Sequence, residues 1–348
     1  MPSPQDPASI EASLRATLQH LSASGTNVVA GPWLGEVGFE LLYWIPFLRW
    51  AVEVEPELRG RIVAISRGGV DDWYEGIAER YVDVFDVVDA DAYAVARDSF
   101  KQKQRALTDF ERGIIADALH AAEIPTAAVL HPGVMFDAYQ ALIKHDSGAF
   151  HRGVRHTGER CVGVCAVYEP LRASAPPPPI AAALPASYLA MRFYFRRRSF
   201  VDDPATRELV DEVARLVASD HDVVLLNPGL ELDDHRDAPV EIHPRIHLMP
   251  VLSDVRDNLA LQASVIGRAD AFVGTYGGLA YLGPFLGVDT LAFSMGLGGL
   301  QPWHLSLAQA IFADDRYGWL TSLFARDLGV VQLLGQTSRT VTPSTMPA

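Results

Sequence analysis

Two stretches of this chain carry residue types suited to holding phosphate. The first is Met191 to Phe200, MRFYFRRRSF. Read as a strand, it turns Met191, Phe193 and Phe195 to one side and Arg192, Tyr194, Arg196 and Arg198 to the other. Guanidinium groups match phosphate oxygens in pairs, and arginines at the carboxyl end of a parallel strand call for an anionic partner. The competing reading is a solvated basic turn that pairs with Asp202 and Asp203. The second stretch is Val273 to Ser294, VGTYGGLAYLGPFLGVDTLAFS. An apolar strand run stops at Gly274, the small polar knot Thr275-Tyr276-Gly277-Gly278 follows, and a helix is predicted to begin near Gly277. The first amides of a helix lack internal partners and carry partial positive charge, and glycine lets an anion come close to them. A tight strand-to-helix turn that needs glycine only for packing is the alternative.

A third stretch, GPWLGEVGFELLYWIPFLRW, supplies carboxylates. Gly31, Gly35 and Gly38 do not match G-x-G-x-x-G, so the dinucleotide fingerprint is absent. Glu36 falls in the loop after the first predicted strand, and Glu40 follows four residues later on the same helical face. A carboxylate there can act as general base where a neighbour or burial raises its proton affinity. Which of the two would do so is open; a helix-end carboxylate (Glu36) and a face carboxylate paired with a cation (Glu40) are the plainer readings. Gly35, Glu40, Trp33 and Tyr43 mark the expected acceptor side, although Trp33, Phe39, Tyr43 and Trp44 also suit a core stripe. In LLNPGLELDDHRDAPVEIHPRIH, the residues Asn227, Asp234 and His235 are candidates for contacting a base, a ribose or a sugar, or else belong to a solvated loop. The histidines lack ligand spacing, and Asp89-Ala90-Asp91 is too short a match to Asp-x-Asp to assign a metal; no metal site is expected. Neither G-x-S-x-G nor a P-loop occurs.

These residues need elements to position them. A short amphipathic helix is predicted over roughly 8–21. NVVAGP reads as a buried strand, LLYWIPFLRWAVE as a helix that Pro46 kinks or starts, RIVAIS as a strand, DDWYEGIAERY as a helix and VFDVVD as a strand. Asp91 to His145 reads as mostly helical, with breaks near Pro125 and Pro132. LRASAPPPPIAAALP punctuates the chain as a stiff connector or surface loop. Beyond it the alternation restarts: SYLAMRFYF (strand), PATRELVDEVARLVAS (helix), DVVLLNPG and RIHLMP (strands), a helix over 255–267, DAFVGT (strand), GGLAYLGPFLG (helix) and DTLAFS (strand). WLTSLFARDLGVVQLL reads as a C-terminal helix. Strand-helix alternation on both sides of a connector predicts an α/β fold of two Rossmann-like parallel-sheet domains facing across a cleft. The expected boundaries are 1–180 for an acceptor-side domain (polar lead 1–26, connector 172–187), 181–330 for a nucleotide-sugar domain and 331–348 for a tail.

At 348 residues, with 49% hydrophobic and 21% charged residues, the composition is globular and large enough for two cores. A net charge of −14 argues against a nucleic-acid partner. The two cysteines, Cys161 and Cys165, lie in CVGVCAVY, which reads as one buried strand, so no disulfide framework is expected and a cytoplasmic location fits. No secretory leader and no run of about 18 apolar residues is visible. The chain is expected not to be transmembrane; peripheral membrane contact is left open.

Together the quoted stretches resemble bacterial glycosyltransferases of the GT-B class. LGEVGFELLYWIPFLRW is similar to the Leu-Gly-Asp loop-helix of heptosyltransferase-like enzymes, with Glu36 where those carry a catalytic Asp and Pro46 near a proline of theirs. MRFYFRRRSF is loosely similar to the arginine-rich donor motif of fucosyltransferase-like families. DAFVGTYGGLAYLGPFLGVDTLAF resembles the stretch where such enzymes hold the donor diphosphate, with Thr-Tyr-Gly-Gly in place of a Ser-Gly-Pro type. The resemblance implies a nucleotide-diphosphate sugar as donor and a glycan or small molecule as acceptor. It implies Glu36 as base and no required cofactor or metal. Arg192, Arg196 and Arg198, with Thr275, Tyr276, Gly277 and Gly278, would stand at the diphosphate. A sugar-nucleotide epimerase or hydrolase of the same architecture, and a non-catalytic nucleotide-sugar binder, are the alternatives.

Overall fold

Short apolar runs become the strands of two parallel sheets. The computed structural model describes residues 7–100, 104–145, 165–196, 199–227, 229–230, 235–249, 254–295 and 302–324. The first half runs α1 (Pro7–Ala23), β1 (Asn27–Ala30), α2 (Val37–Phe39), a π-helical turn (Glu40–Trp44), α3 (Ile45–Val54), β2 (Ile62–Ser66), β3 (Arg80–Asp83), α4 (Ala90–Phe100), α5 (Asp109–Ala121), β4 (Ala127–Leu130) and α6 (Pro132–His145). Its sheet has the order β3-β2-β1-β4, all parallel. The second half runs α7 (Pro178–Ala183), β5 (Leu189–Arg192), β6 (Tyr194–Phe195), α8 (Pro204–Asp220), β7 (Val223–Leu225), β8 (Arg236–Asp237), β9 (Ile246–Leu248), α9 (Asn258–Ile266), β10 (Ala271–Thr275), α10 (Gly278–Phe285), β11 (Thr290–Ser294), α11 (Pro302–Ile311) and β12 (Leu320–Phe324). Its main sheet has the order β12-β11-β10-β5-β7-β9, again parallel. The protein is thus α/β with two Rossmann-like sheets, as the alternation predicts.

Both orders contain a reversal. The first sheet grows from β1 through β2 to β3 and then returns to place β4 on the other side of β1. The second grows from β5 through β7 to β9, then places β10 on the other side of β5. At such a switch point the loops leaving the carboxyl ends diverge and open a crevice. The loop after β1 carries Glu36; the segments after β5 and β10 carry Arg196 and the Thr275–Gly278 knot.

Pro46 follows an irregular turn in the rod of the first half. Ile45 N–H bonds to the Glu40 carbonyl five residues back, which makes the π-turn. Pro46 has no N–H, so the Leu42 carbonyl lacks its helical donor; the Tyr168 hydroxyl donates to it instead at 2.8 Å. Val167 N–H also bonds to the Pro46 carbonyl and Leu171 N–H to the Phe285 carbonyl, so this strap touches both halves.

Several elements differ from the sequence reading. Residues 165–168 do not form a strand, because their polar groups serve the strap; Cys161 lies outside the described residues. Pro178 and Pro179 open α7, where the missing N–H costs nothing, rather than excluding helix throughout the connector. The predicted helix at 71–81 is a single 3-10 turn, Asp71–Tyr74, which Gly76 ends, and the strand lies at Arg80–Asp83 rather than over VFDVVD. Within 91–145 the Ala-rich run Ala127–Leu130 is an edge strand, paired with β1. Leu320–Phe324 is strand, not helix, because β11 offers a free parallel edge; the rest of that predicted helix and the tail lie outside the described residues. Helix α11 was not anticipated.

The halves meet closely at the site. A methyl group on Gly278 would lie 2.9 Å from Val37 Cβ and 3.0 Å from Gly38 N, and one on Gly277 would overlap the Tyr194 hydroxyl. This explains the adjacent glycines: each lets another backbone or side chain approach where a Cβ cannot fit. We expect Gly278→Ala to lower stability by about 1–3 kcal/mol through overpacking, read as a drop in melting temperature. Gly113→Ala, in α5 with open space around it, should leave stability unchanged or raise it by up to about 1 kcal/mol. Equal melting of the two variants would show that the seam is not close-packed.

Candidate active site

The loop after β1 is held from below. Gln104 donates to the Pro32 carbonyl at 2.6 Å and accepts from Leu34 N–H at 2.8 Å, so one buried amide clamps both sides of Trp33. Gln104 is itself fixed by a 2.7 Å bond to Glu111, which His131 also meets at 3.1 Å. Burial would raise the Glu111 carboxyl, but bonds from His131, Gln104 and Thr108 outweigh it and hold the group below the usual carboxylate range. Arg67, leaving β2, donates to the Gly35 carbonyl. The loop therefore reaches Glu36 with little freedom.

Glu36 is the N-cap residue of α2, yet its side chain makes no capping bond. It crosses instead to the other half, where Arg196 Nη2 lies 2.5 Å from Glu36 Oε1; the two side chains are 24% (Arg196) and 26% (Glu36) exposed. The Arg196 main chain is pinned by paired bonds with Phe200. Around this pair lie the opening turn of α2 and the opening turn of α10, which touch at Val37, Gly38 and Gly278. The carboxylate thus meets a guanidinium at the start of its own helix, whose opening turn touches that of α10.

Glu40 is different in kind. It is fully buried in the π-turn. Ser66 donates to its Oε1 at 2.5 Å and Tyr74 at 2.7 Å, while Oε2 is buried without a partner. Burial pushes its pKa up to about 7, against the lowering effect of nearby Arg67 and the two hydroxyls. The expected cation pairing on a helix face is not what the structure shows: hydroxyls, not an ion pair, hold this carboxyl. Next to it, Asp83 accepts from Gly69 N–H at 2.8 Å and from Tyr81 at 3.0 Å, fixing the turn after β2.

The second half divides the predicted arginines. Met191, Phe193 and Phe195 do face a core, and Arg192 lies opposite. Arg192, however, is already committed: it donates to Asp237 at 3.0 and 3.2 Å and to Gln262 at 2.6 Å, and lies 5.8 Å from the Tyr194 ring centroid. Arg192 lies in register with Gly274 across β5 and β10, so its strand and the glycine knot share one edge of the crevice. The Thr275 hydroxyl accepts from Tyr194 N–H at 3.0 Å and splints the two strands. Tyr276 N–H is used by the Phe293 carbonyl, and its hydroxyl meets that of Tyr281 at 2.5 Å. The amides of Gly277 and Gly278, at the opening of α10, lie outside the helical ladder and are half-buried. Asn227, after β7, donates to the Ala238 carbonyl at 3.1 Å, and its Oδ1 is buried without a partner. His235 packs against Tyr194 with the rings tilted by 42° and centroids 4.2 Å apart. Arg198 and Asp234 lie outside the described residues.

On the acceptor side, Trp33 is fully buried between Trp44 and Phe136, with both centroids 5.9 Å away, and offers no face to a sugar. Tyr43 is half-buried and bonds through its hydroxyl to His304 of α11, while Phe39 stacks on Tyr43 at 5.7 Å. Sequence reasoning missed Arg67, Ser66, Tyr74, Asp237, Gln262 and His304. Ser66-Arg67-Gly68-Gly69 did carry a signal, a polar, glycine-bearing knot after a strand like that at 275–278; the others lie far along the chain from their partners. Among the described residues, no three or more His, Cys, Asp or Glu side chains are grouped to hold a metal, and no helix is long and apolar enough to cross a membrane.

No protein-family model matches the chain, and no curated protein matches its sequence significantly. Among solved structures it is similar to a glycosyl transferase family 9 protein from Veillonella parvula, at 12% identity over 92% of this chain and 90% of that one, with a TM-score of 0.41. It is also similar to E. coli heptosyltransferase WaaC with ADP, at 15% identity over 89% of this chain and 99% of that one, with a TM-score of 0.46. A UDP-N-acetylglucosamine 2-epimerase is similar at 13% identity over 93% of this chain and 99% of that one, with a TM-score of 0.34.

Glu40 gives the site a pH signature. Its folded pKa, about 7, lies above the ordinary 4.5, so the fold binds a proton that the unfolded chain releases. Its contribution is fully present below pH 4.5 and is lost as pH rises to about 7. The loss amounts to about 3 kcal/mol. Denaturant melts across this range should show the decline, and Glu40→Gln should flatten it; an unchanged slope would assign the decline to other groups.

Proposed function

We propose that the protein is an inverting glycosyltransferase that moves a sugar from a nucleotide-diphosphate donor to a hydroxyl acceptor. The observation that carries this reading is the contact of Glu36 with Arg196 where the two switch points face each other. One residue is a partly exposed carboxylate able to take a proton. The other is a partly exposed guanidinium able to take a phosphate. They come from opposite halves, as a displacement with acceptor on one side and leaving group on the other requires.

In this reading the acceptor hydroxyl lies against Glu36 and the donor diphosphate against Arg196 and the amides of Gly277 and Gly278. The hydroxyl oxygen bonds to the anomeric carbon while the bond from that carbon to the diphosphate breaks. The hydroxyl proton passes to Glu36, and the electron pair of the broken bond leaves with the diphosphate. One displacement inverts the anomeric centre. The developing charge is met by a guanidinium and fixed dipoles, which is the means of stabilisation that needs no metal. Arg192 supports the diphosphate edge by tying β5 to β8 and α9, and Asn227 with His235 lies towards the nucleoside or sugar. The halves must part for a sugar to enter, because the ion pair now occupies its place. Donor and acceptor chemistry of this kind suits a cytoplasmic enzyme of glycan or small-molecule biosynthesis.

A screen of nucleoside diphosphates and their sugars by thermal shift should find a ligand that raises the melting temperature. Arg196→Ala should then weaken nucleoside diphosphate about tenfold or more while sparing the nucleoside, in keeping with a lost charged hydrogen bond. Glu36→Gln should lower transfer by about 10²–10⁴-fold with donor still bound. Donor turnover that proceeds equally without acceptor would instead make the protein a hydrolase or epimerase, and unchanged transfer in Glu36→Gln would remove Glu36 as base.

A further inference from the structure

The ion pair that marks the site also closes it. Resting on the functional reading above, we propose that Glu36 and Arg196 form a substrate-released latch: the Glu36 carboxylate occupies the seat of the donor diphosphate, and the arriving diphosphate frees Glu36 to act as base.

Three features of the geometry lead here. Glu36 forgoes the capping bond that its N-cap position offers and crosses 160 residues of sequence to Arg196 at 2.5 Å. The opening turns of α2 and α10, next to Glu36 in the chain and in contact at Val37, Gly38 and Gly278, are both positively polarised, so negative charge near them is favoured. Arg192 is not the competing seat, because Asp237 and Gln262 already hold its guanidinium. The carboxylate is therefore the molecule's own anion at the position where a phosphate has the best company.

The pair is also open to displacement. Both members keep about a quarter of their side-chain surface exposed, so an incoming anion can reach the guanidinium. A diphosphate brings more charge and more acceptor oxygens to the same guanidinium and adds bonds to the amides of Gly277 and Gly278. The exchange gives an order of events. While the latch is closed, Glu36 has Arg196 as its partner and is held from an acceptor hydroxyl. Once diphosphate takes Arg196, Glu36 is a free carboxylate beside the acceptor loop. Donor binding thus precedes acceptor activation, and the base is exposed only when there is a leaving group to use it.

Titration of inorganic pyrophosphate into the full chain, followed by calorimetry, tests this. Glu36→Gln should bind pyrophosphate about three- to fivefold more tightly than wild type, because it no longer competes for Arg196. Arg196→Ala should bind at least about tenfold more weakly. In the Arg196→Ala background, Glu36→Gln should add nothing, since the seat over which they compete is gone. Glu36→Asp keeps the charge but draws it back by one methylene, and should also tighten binding. An equal gain from Glu36→Gln in both backgrounds, with none from Glu36→Asp, would reduce the effect to general charge and overturn the latch. No gain from Glu36→Gln would overturn it as well while leaving Arg196 as a phosphate ligand. Pyrophosphate affinity unaffected by Arg196→Ala would overturn the functional reading itself.

Discussion

Two helix openings of like polarity face each other across the seam, and the rest of the site is arranged around that constraint. The rod that begins at Val37 and the helix that begins at Gly278 meet at contact distance, which only glycine permits. Unscreened, such an encounter is repulsive, and Arg196 adds a full positive charge. A negative group beside that arginine offsets its charge. Glu36 is that group in the structure, and in the proposed reaction a diphosphate takes its place. Close packing accounts for the glycine pair, and the charge of Arg196 for the carboxylate that declines to cap its own helix.

The buried polar groups beneath this surface have a separate task. Gln104 and Glu111 clamp the first loop, Arg67 holds Gly35, Asp83 fixes the turn after β2, and Asp237 with Gln262 holds Arg192. Each is hydrogen-bonded to main chain or to a partner that is itself fixed. The result is two internally braced walls whose partly exposed members, Glu36 and Arg196, meet across the seam.

The alternation of strands and helices, the Pro-rich break and the alternating faces of Met191 to Arg196 were legible in the sequence, because each follows from local periodicity. The errors also share a cause. Ala127–Leu130 and Leu320–Phe324 are short runs whose strand state depends on a neighbouring edge supplied from elsewhere in the chain. Cys165–Tyr168 looked like a strand because it is apolar, but it is a strap whose bonds go to Pro46 and Leu42. At the site, residue types were readable and partnerships were not. Arg192 and Arg196 look alike in MRFYFRRRSF; their partners differ, Asp237 and Gln262 from the same half for Arg192 and Glu36 from the other half for Arg196. Trp33 likewise could not be told from a stacking platform until Trp44 and Phe136 were seen to cover it.

The two glutamates show why proton affinity alone does not identify a base. Glu40, with a pKa of about 7, has the value that a general base is expected to have. It is nevertheless fully buried, and two hydroxyls already occupy one of its oxygens. A base must touch the proton that it removes, and no acceptor hydroxyl reaches Glu40 without dismantling the π-turn. Its raised pKa is a consequence of desolvation inside the wall. Glu36 lies at the surface of the seam, paired across it with Arg196 and open to an incoming group. Position, not proton affinity, therefore selects Glu36: in the proposed exchange a diphosphate takes Arg196 and leaves that carboxylate facing the acceptor.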